Sequence, residues 1–257
     1  MVIIGKIFDF VLFFYELCFL SGCNFRLAGK DWGVVFLLSL LRAVTSFSLI
    51  IAYQNIASGV ASTIHFMYPL AVALAMMFFF REKKSLLVIL AVLMSLLGAA
   101  LLSLGELEAK SGNTMVGLVA ACVSVFSYAG YIVGVRTTRA VQINSTALTC
   151  YVMGLGTIFY LIGAYCTSGL QLVSDGYTWL IILGLALPAT AISNITLVQA
   201  IKYAGPTLTS ILGAMEPLTA VVIGVFVFKE LFTVNSAVGI ILILLAVSIV
   251  VFRRQKS

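Results

Sequence analysis

Charge is the scarcest property of this chain. Only 9% of its 257 residues are Asp, Glu, Lys or Arg, against about 25% in soluble domains. A soluble body of this length needs a polar coat, and the composition cannot supply one: 62% of the residues are hydrophobic. Histidine is nearly missing, with His65 alone. The chain therefore has no HExxH zinc motif, and it also lacks a GxSxG nucleophile elbow, so an intramembrane enzyme would be without paired catalytic groups. The five cysteines (Cys18, Cys23, Cys122, Cys150, Cys166) form no CxxC pair and lie in or beside apolar runs. Thiols in such runs act as small hydrophobes, so neither a metal site, a disulfide framework nor a cofactor is expected. The net charge of +6 reports membrane topology in so apolar a chain, and no nucleic-acid partner is implied.

What is abundant is apolar sequence in runs of about 20 residues, each long enough to cross a hydrocarbon core of about 30 Å. Charged or glycine-rich breaks divide the chain into nine predicted spans: 3–20, 32–53, 58–80, 85–104, 115–135, 146–166, 179–200, 207–228 and 234–251. The runs are continuous rather than alternating, which selects helices over barrel strands. Asp9 and Glu16 interrupt the first run and are wrong for a signal peptide, so it is read as a retained helix. With the C-terminus in the cytoplasm, eleven of the fifteen basic residues fall inside, three (Lys6, Lys110, Lys229) outside, and Arg42 within a span. That partition satisfies the positive-inside rule.

The chain also repeats itself. At an offset of 148 residues, from Pro69 to Pro217, Ala52, Ser62, Met67, Pro69, Leu70, Phe78, Phe80 and Glu82 meet Ala200, Ser210, Met215, Pro217, Leu218, Phe226, Phe228 and Glu230 as identities. Hydrophobic similarity alone would not keep mid-span prolines and end-of-span acids in register. The offset covers five spans, an odd number, so equivalent helices are expected to cross in opposite directions as inverted repeats. Such repeats offer two related packings around a midplane site, the basis of alternating access.

The segments ASGVASTIHFMYPLAVALAMMFFFREKKS and YAGPTLTSILGAMEPLTAVVIGVFVFKEL resemble the fourth and ninth helices of the EamA-like branch of the drug/metabolite transporter superfamily. The resemblance extends over nearly the whole chain. It implies an all-α integral membrane protein with the family's ten-helix fold, in which the family's first helix is missing here. The expectation is that Met1 is an internal start or that the gene is truncated. The first repeat then occupies 1–104, a polar inter-repeat loop 105–114, the second repeat 115–252, and a cytoplasmic tail 253–257. It also implies a multi-pass carrier in a plasma membrane, such as a bacterial inner membrane, that exports a small organic solute.

Polar residues inside spans are expensive and mark candidate sites. Glu216 precedes Pro217 near the middle of its span, where a carboxylate is a proton carrier, a substrate contact or a neutral group bonded to a neighbouring backbone. Its repeat-equivalent is Tyr68, beside Pro69, an aromatic that at this depth either lines a cavity or packs. His65 shares a helix face with Pro69, and either lines the cavity or packs as a core residue. Asn194 and Gln199 serve equally as substrate contacts or as interhelical glue, and Tyr128 and Tyr131 read as packing or interfacial residues. Arg42, within its span, is expected to form an intramembrane ion pair with Asp9 or Glu16. The expected partners are thus a small-molecule solute, protons as a candidate coupling ion, and the lipid bilayer. A non-transporting receptor or scaffold is the rival reading.

Overall fold

The computed structural model describes residues 27–81, 86–103, 112–167, 192–213, 215–217, 219 and 234–255. Among them the regular structure is helical, with no strand: α1 (Trp32–Asn55), α2 (Ser58–His65), α3 (Tyr68–Phe79), α4 (Leu86–Ser103), α5 (Thr114–Thr137), a 3-10 turn (Arg139–Gln142), α6 (Ser145–Thr167), α7 (Ser193–Ala204), α8 (Pro206–Leu212) and α9 (Val234–Gln255). Residues 32–55, 60–79 and 114–137 are long and apolar enough to cross a membrane, and shorter apolar helical stretches occupy 86–98 and 237–249. The predicted first span, with Asp9 and Glu16, lies outside the described residues, as do most of 179–200 and of 218–228.

Large apolar side chains lie on the outside of the helices as well as in the core, and small polar ones are found inside. Phe79, Leu86, Met115 and Phe126 are exposed, while Ser39, Thr45, Ser95, Ser124, Thr149 and Ser210 are buried. Lipid tails solvate large apolar side chains as well as a protein core does, so small and hydroxylated residues can share the helix contacts with them. Their hydroxyls are satisfied locally: Thr149 donates to the Ser145 carbonyl at 2.9 Å, Thr157 to Met153 at 3.0 Å and Thr209 to Gly205 at 2.8 Å. Such back-bonding leaves no polar atom to lipid.

The chain forms two compact units. One comprises 1–43 and 134–204, the other 44–133 and 205–257, so α1 and α5 each contribute to both. In the first unit α1 lies on α6. Trp32 meets Tyr151 edge-on at 5.5 Å, Phe36 meets Phe159 at 5.7 Å, and Ser39 Oγ donates to the Val152 carbonyl at 2.8 Å. Asn144 caps α6, accepting from the Thr146 amide at 2.9 Å, the role expected of an N-cap asparagine. Cys150 on α6 is disulfide-bonded, which corrects the sequence expectation. Spacing along a chain shows only local CxxC pairs and is blind to thiols brought together by folding.

In the second unit α4 and α9 make the most extensive helix contact among the described residues. A β-carbon on Gly98 of α4 would lie 2.7 Å from the Gly239 carbonyl oxygen and 2.7 Å from Ile243 Cγ1, so only glycine allows the two backbones to approach this closely. Ala73 and Met77 of α3, Val88, Ala91 and Val92 of α4, Ile211 of α8 and Ala246 of α9 share one core. A second core joins Ala52 of α1, Ile56 just beyond its end, Ala61 of α2, and Ala120 and Ala121 of α5. Asn113 caps α5 through the Met115 amide at 3.1 Å, and its own amide donates to Asn55 Oδ1 at 3.0 Å.

Candidate functional site

Both prolines of the duplicated segment sit just past a helix break. α2 ends at His65, the Phe66 amide donates to Ser62 and the Met67 amide to Ile64, each at 2.9 Å, and α3 restarts at Tyr68 with Pro69 in its first turn. Proline has no amide hydrogen, its ring collides with the carbonyl four residues back, and it disfavours helix at the residue before it. In the other copy α8 ends at Leu212, the Gly213 amide donates to Thr209 at 3.1 Å, the Glu216 amide donates to Gly213 at 3.0 Å, and Met215–Glu216–Pro217 is helical again. The starts of α2 at Ser58 and α8 at Pro206 keep the same offset as the prolines.

The two breaks touch. A β-carbon on Gly213 would lie 1.8 Å from the Tyr68 hydroxyl oxygen, so this hydroxyl fills the space that any other residue at 213 would need. Tyr68 is 3% exposed. Its ring meets Tyr128 edge-on at 4.7 Å and His65 at 5.6 Å, while His65 and Tyr128 lie 5.4 Å apart. Tyr131, one turn further along α5, stacks on Tyr128 at 6.3 Å and is itself buried. His65 is half-buried and pairs through Nδ1 with Ser124 Oγ at 2.9 Å. Glu216 is exposed, whereas Pro69 and Pro217 are buried. The structure thus groups His65, Tyr68, Tyr128, Ser124 and Gly213 at the paired breaks, with Glu216 three residues beyond Gly213.

The first unit holds a separate polar pair. Arg42 Nη2 donates to Asn194 Oδ1 at 2.9 Å, and Asn194 is buried with 5% exposure. The expected carboxylate partners, Asp9 and Glu16, lie outside the described residues; the described partner is a neutral carboxamide. Gln199 is exposed and, five residues from Asn194 on a helix, occupies a different face.

Ser124, Tyr128 and Gly213 enter the site without having been singled out in the sequence as site residues. Gly213 was findable, being the repeat-equivalent of His65. Ser124 and Tyr128 are four residues apart on one helix face, a polar stripe in an otherwise apolar run.

Beyond the predicted span of α7, the Lys202 ammonium donates to the Ile143 carbonyl and Arg136 Nη1 donates to the Lys202 carbonyl at 2.5 Å. The pair ties the 138–144 loop to the C-terminal turn of α7, where cations are favourable. Burial pushes the Lys202 ammonium down from the ordinary lysine range to about 8. Between about pH 8 and the unfolded value near 10.5 the unfolded chain holds the extra proton, so stability rises with pH across that window. The expected gain is at most about 3 kcal/mol. Melting of the purified protein should therefore climb from pH 8 to pH 10 more steeply in wild type than in Lys202→Met. Parallel slopes in the two proteins would refute the assignment.

Residues 115–252 match the EamA-like transporter family. An "Uncharacterized transporter" of Archaeoglobus fulgidus is 28% identical over 239 residues, 93% of this chain and 83% of the relative. A solved structure described as "Crystal structure of protein" superposes with a TM-score of 0.80 at 17% identity, over 98% of this chain and 87% of its own, a likeness of fold.

Proposed function

Because the chain belongs to the EamA-like transporter family of the drug/metabolite transporter superfamily and is a multi-pass membrane transporter, we propose that it moves a small organic metabolite by alternating access. The solute is of the size of an amino acid or an amphipathic drug, and the direction is export. In this reading the chain has nine spans in two inverted repeats, 1–104 and 115–252, and a cytoplasmic C-terminus. It resides in the plasma membrane, that of a bacterium being the expected case.

One observation carries the reading: the two helix breaks share a register and meet through Tyr68 and Gly213. A broken helix frees backbone amides and carbonyls at mid-membrane depth, which is tolerated only where protein or a water-filled cavity receives them. Transporters place their solute sites at such breaks. His65, Tyr68 and Pro69 line one side of the site and Glu216 and Pro217 the other. Glu216 is the proton-coupling group, while Asn194, Gln199 and the pairing of Arg42 with Asp9 or Glu16 belong to the solute pathway or its support.

Purified protein in proteoliposomes, assayed against a panel of radiolabelled amino acids and cationic drugs, should move at least one above the protein-free rate. An imposed pH gradient should accelerate it. A panel moved no faster than by empty liposomes, with the protein folded and inserted, argues for a receptor or scaffold instead.

A further inference from the structure

Three cations gather at one end of the first unit, where α5 ends at Thr137, α6 starts at Ser145 and α7 ends at Ala204. Arg136 Nη1 donates to the Lys202 carbonyl, and the Lys202 ammonium donates to the Ile143 carbonyl. Both cations are thus held by neutral oxygens, which leave their charge uncompensated. Arg139, exposed, opens the 3-10 turn of the same loop. None of the three forms an ion pair among the described residues. The sequence gives the cause: residues 109–174 and 176–215 contain no Asp or Glu. Helix α6, with its 23 residues, leads the chain about 34 Å away from this end. The residues between Thr167 and Asp175 are too few to span the return even fully extended. The depth is set by α5, whose 24 residues make about 36 Å against a hydrocarbon core of about 30 Å. Arg136, next to its last residue, therefore stands at headgroup level. Tyr203, beside Lys202, is 81% exposed, as suits a tyrosine at a membrane interface.

We propose that Arg136, Arg139 and Lys202 form a binding site for the phosphodiester of an anionic phospholipid of the phosphatidylglycerol class. A guanidinium carries five N–H groups in a planar fork. Arg136 commits one of them to Lys202 and has others to offer two phosphate oxygens at once. Lys202, 9% exposed, is a fixed charge that also ties down the loop bearing Arg139. A lipid diester at headgroup depth keeps its acyl chains in the hydrocarbon layer beside these helices, which a soluble phosphate cannot do. A zwitterionic lipid brings its own ammonium and so no net charge to compensate the cations. The site stands apart from the solute pathway and does not depend on what is transported.

Native mass spectrometry of the purified, delipidated protein reads the first lipid adduct. The probes are dioleoylphosphatidylglycerol and dioleoylphosphatidylcholine, which share chains and phosphate and differ in net charge. Wild type is expected to bind the anionic lipid at least about tenfold more tightly, the combined pull of the three cations on one negative headgroup. Arg136→Gln/Arg139→Gln should bring the two lipids to within about twofold of each other. Arg139→Gln alone removes a side chain with no hydrogen bond or ion pair among the described residues. It should lose at least about half of the preference, and it decides the matter if the double variant does not fold. Arg253→Gln/Arg254→Gln, which removes the same charge near the end of α9, should keep the wild-type ratio. Equal binding of the two lipids by wild type, a preference unchanged in the loop variants, or an equal loss in the α9 variant overturns the site. Inorganic phosphate in large excess should leave the phosphatidylglycerol adduct in place. Its displacement would assign the cations to a soluble phosphate and overturn the lipid.

Discussion

Glu216→Gln is expected to abolish solute accumulation driven by a pH gradient, down to the level of protein-free liposomes, while the variant inserts and melts like the wild type. Three observations support this expectation. The carboxylate lies just beyond the α8 break, three residues after Gly213, and its side chain is exposed. An acidic group near the bilayer centre costs roughly 3 kcal/mol or more unless it is paired, hydrated or protonated. Its equivalent in the other copy is Tyr68, so the break itself has no need of a carboxylate. A neutral amide of the same shape is cheaper to bury than the charged acid, which is why insertion should survive. Downhill exchange of labelled for unlabelled solute should continue, since that mode needs no net proton movement. Uphill transport by Glu216→Gln at the wild-type rate across the pH range would make the residue structural and send the search for coupling elsewhere.

Gly213→Ala is expected to destabilise the protein by about 1–3 kcal/mol, the usual penalty for overpacking a filled site, and to depress flux with it. The added methyl would overlap the Tyr68 hydroxyl at 1.8 Å and crowd Cζ at 3.1 Å. The tyrosine has no easy retreat, because its buried ring is wedged between His65 and Tyr128. Combining the change with Tyr68→Phe removes the colliding oxygen, and the double variant should recover part of the lost melting temperature. Residues in contact show such coupling, of about 0.5–3 kcal/mol, whereas independent sites add. Strict additivity of the two substitutions would mean that the breaks do not press on each other.

Much of this architecture is legible in one dimension because its causes are local. A proline acts on the residue before it and on the carbonyl four residues back, so Pro69 and Pro217 announce their breaks, and the 148-residue register announces that there are two. The apolar runs give helices for the same reason: each backbone group finds its partner within one turn. What is not legible arises between segments. Ser124 comes within reach of His65 across 59 positions, and nothing in either local sequence signals it. Arg42 meets Asn194 across 152 positions; a guanidinium directs attention to carboxylates, and a carboxamide acceptor on a distant helix leaves no mark in a charge pattern. Tyr128 looks like any other aromatic in an apolar run until the ring of Tyr68 is found against it. The closeness of α4 and α9 is half legible, since glycines at 98 and 239 are visible, but their mutual contact is not.

That contact bears on how the protein is made. Helix α4 is synthesised well before α9, the last described helix, and the nearest neighbours of Gly98 on α4 are Gly239 and Ile243 of α9. While the intervening segments are still emerging from the ribosome, α4 stands in lipid with its closest-fitting face uncovered. The core formed by Ala73, Met77, Val92 and Ile211 stays open on the side that Ala246 closes. Maturation of this unit therefore waits on α9: until residues 234–255 have entered the membrane, the core shared by α3, α4 and α8 lacks the side that Ala246 closes.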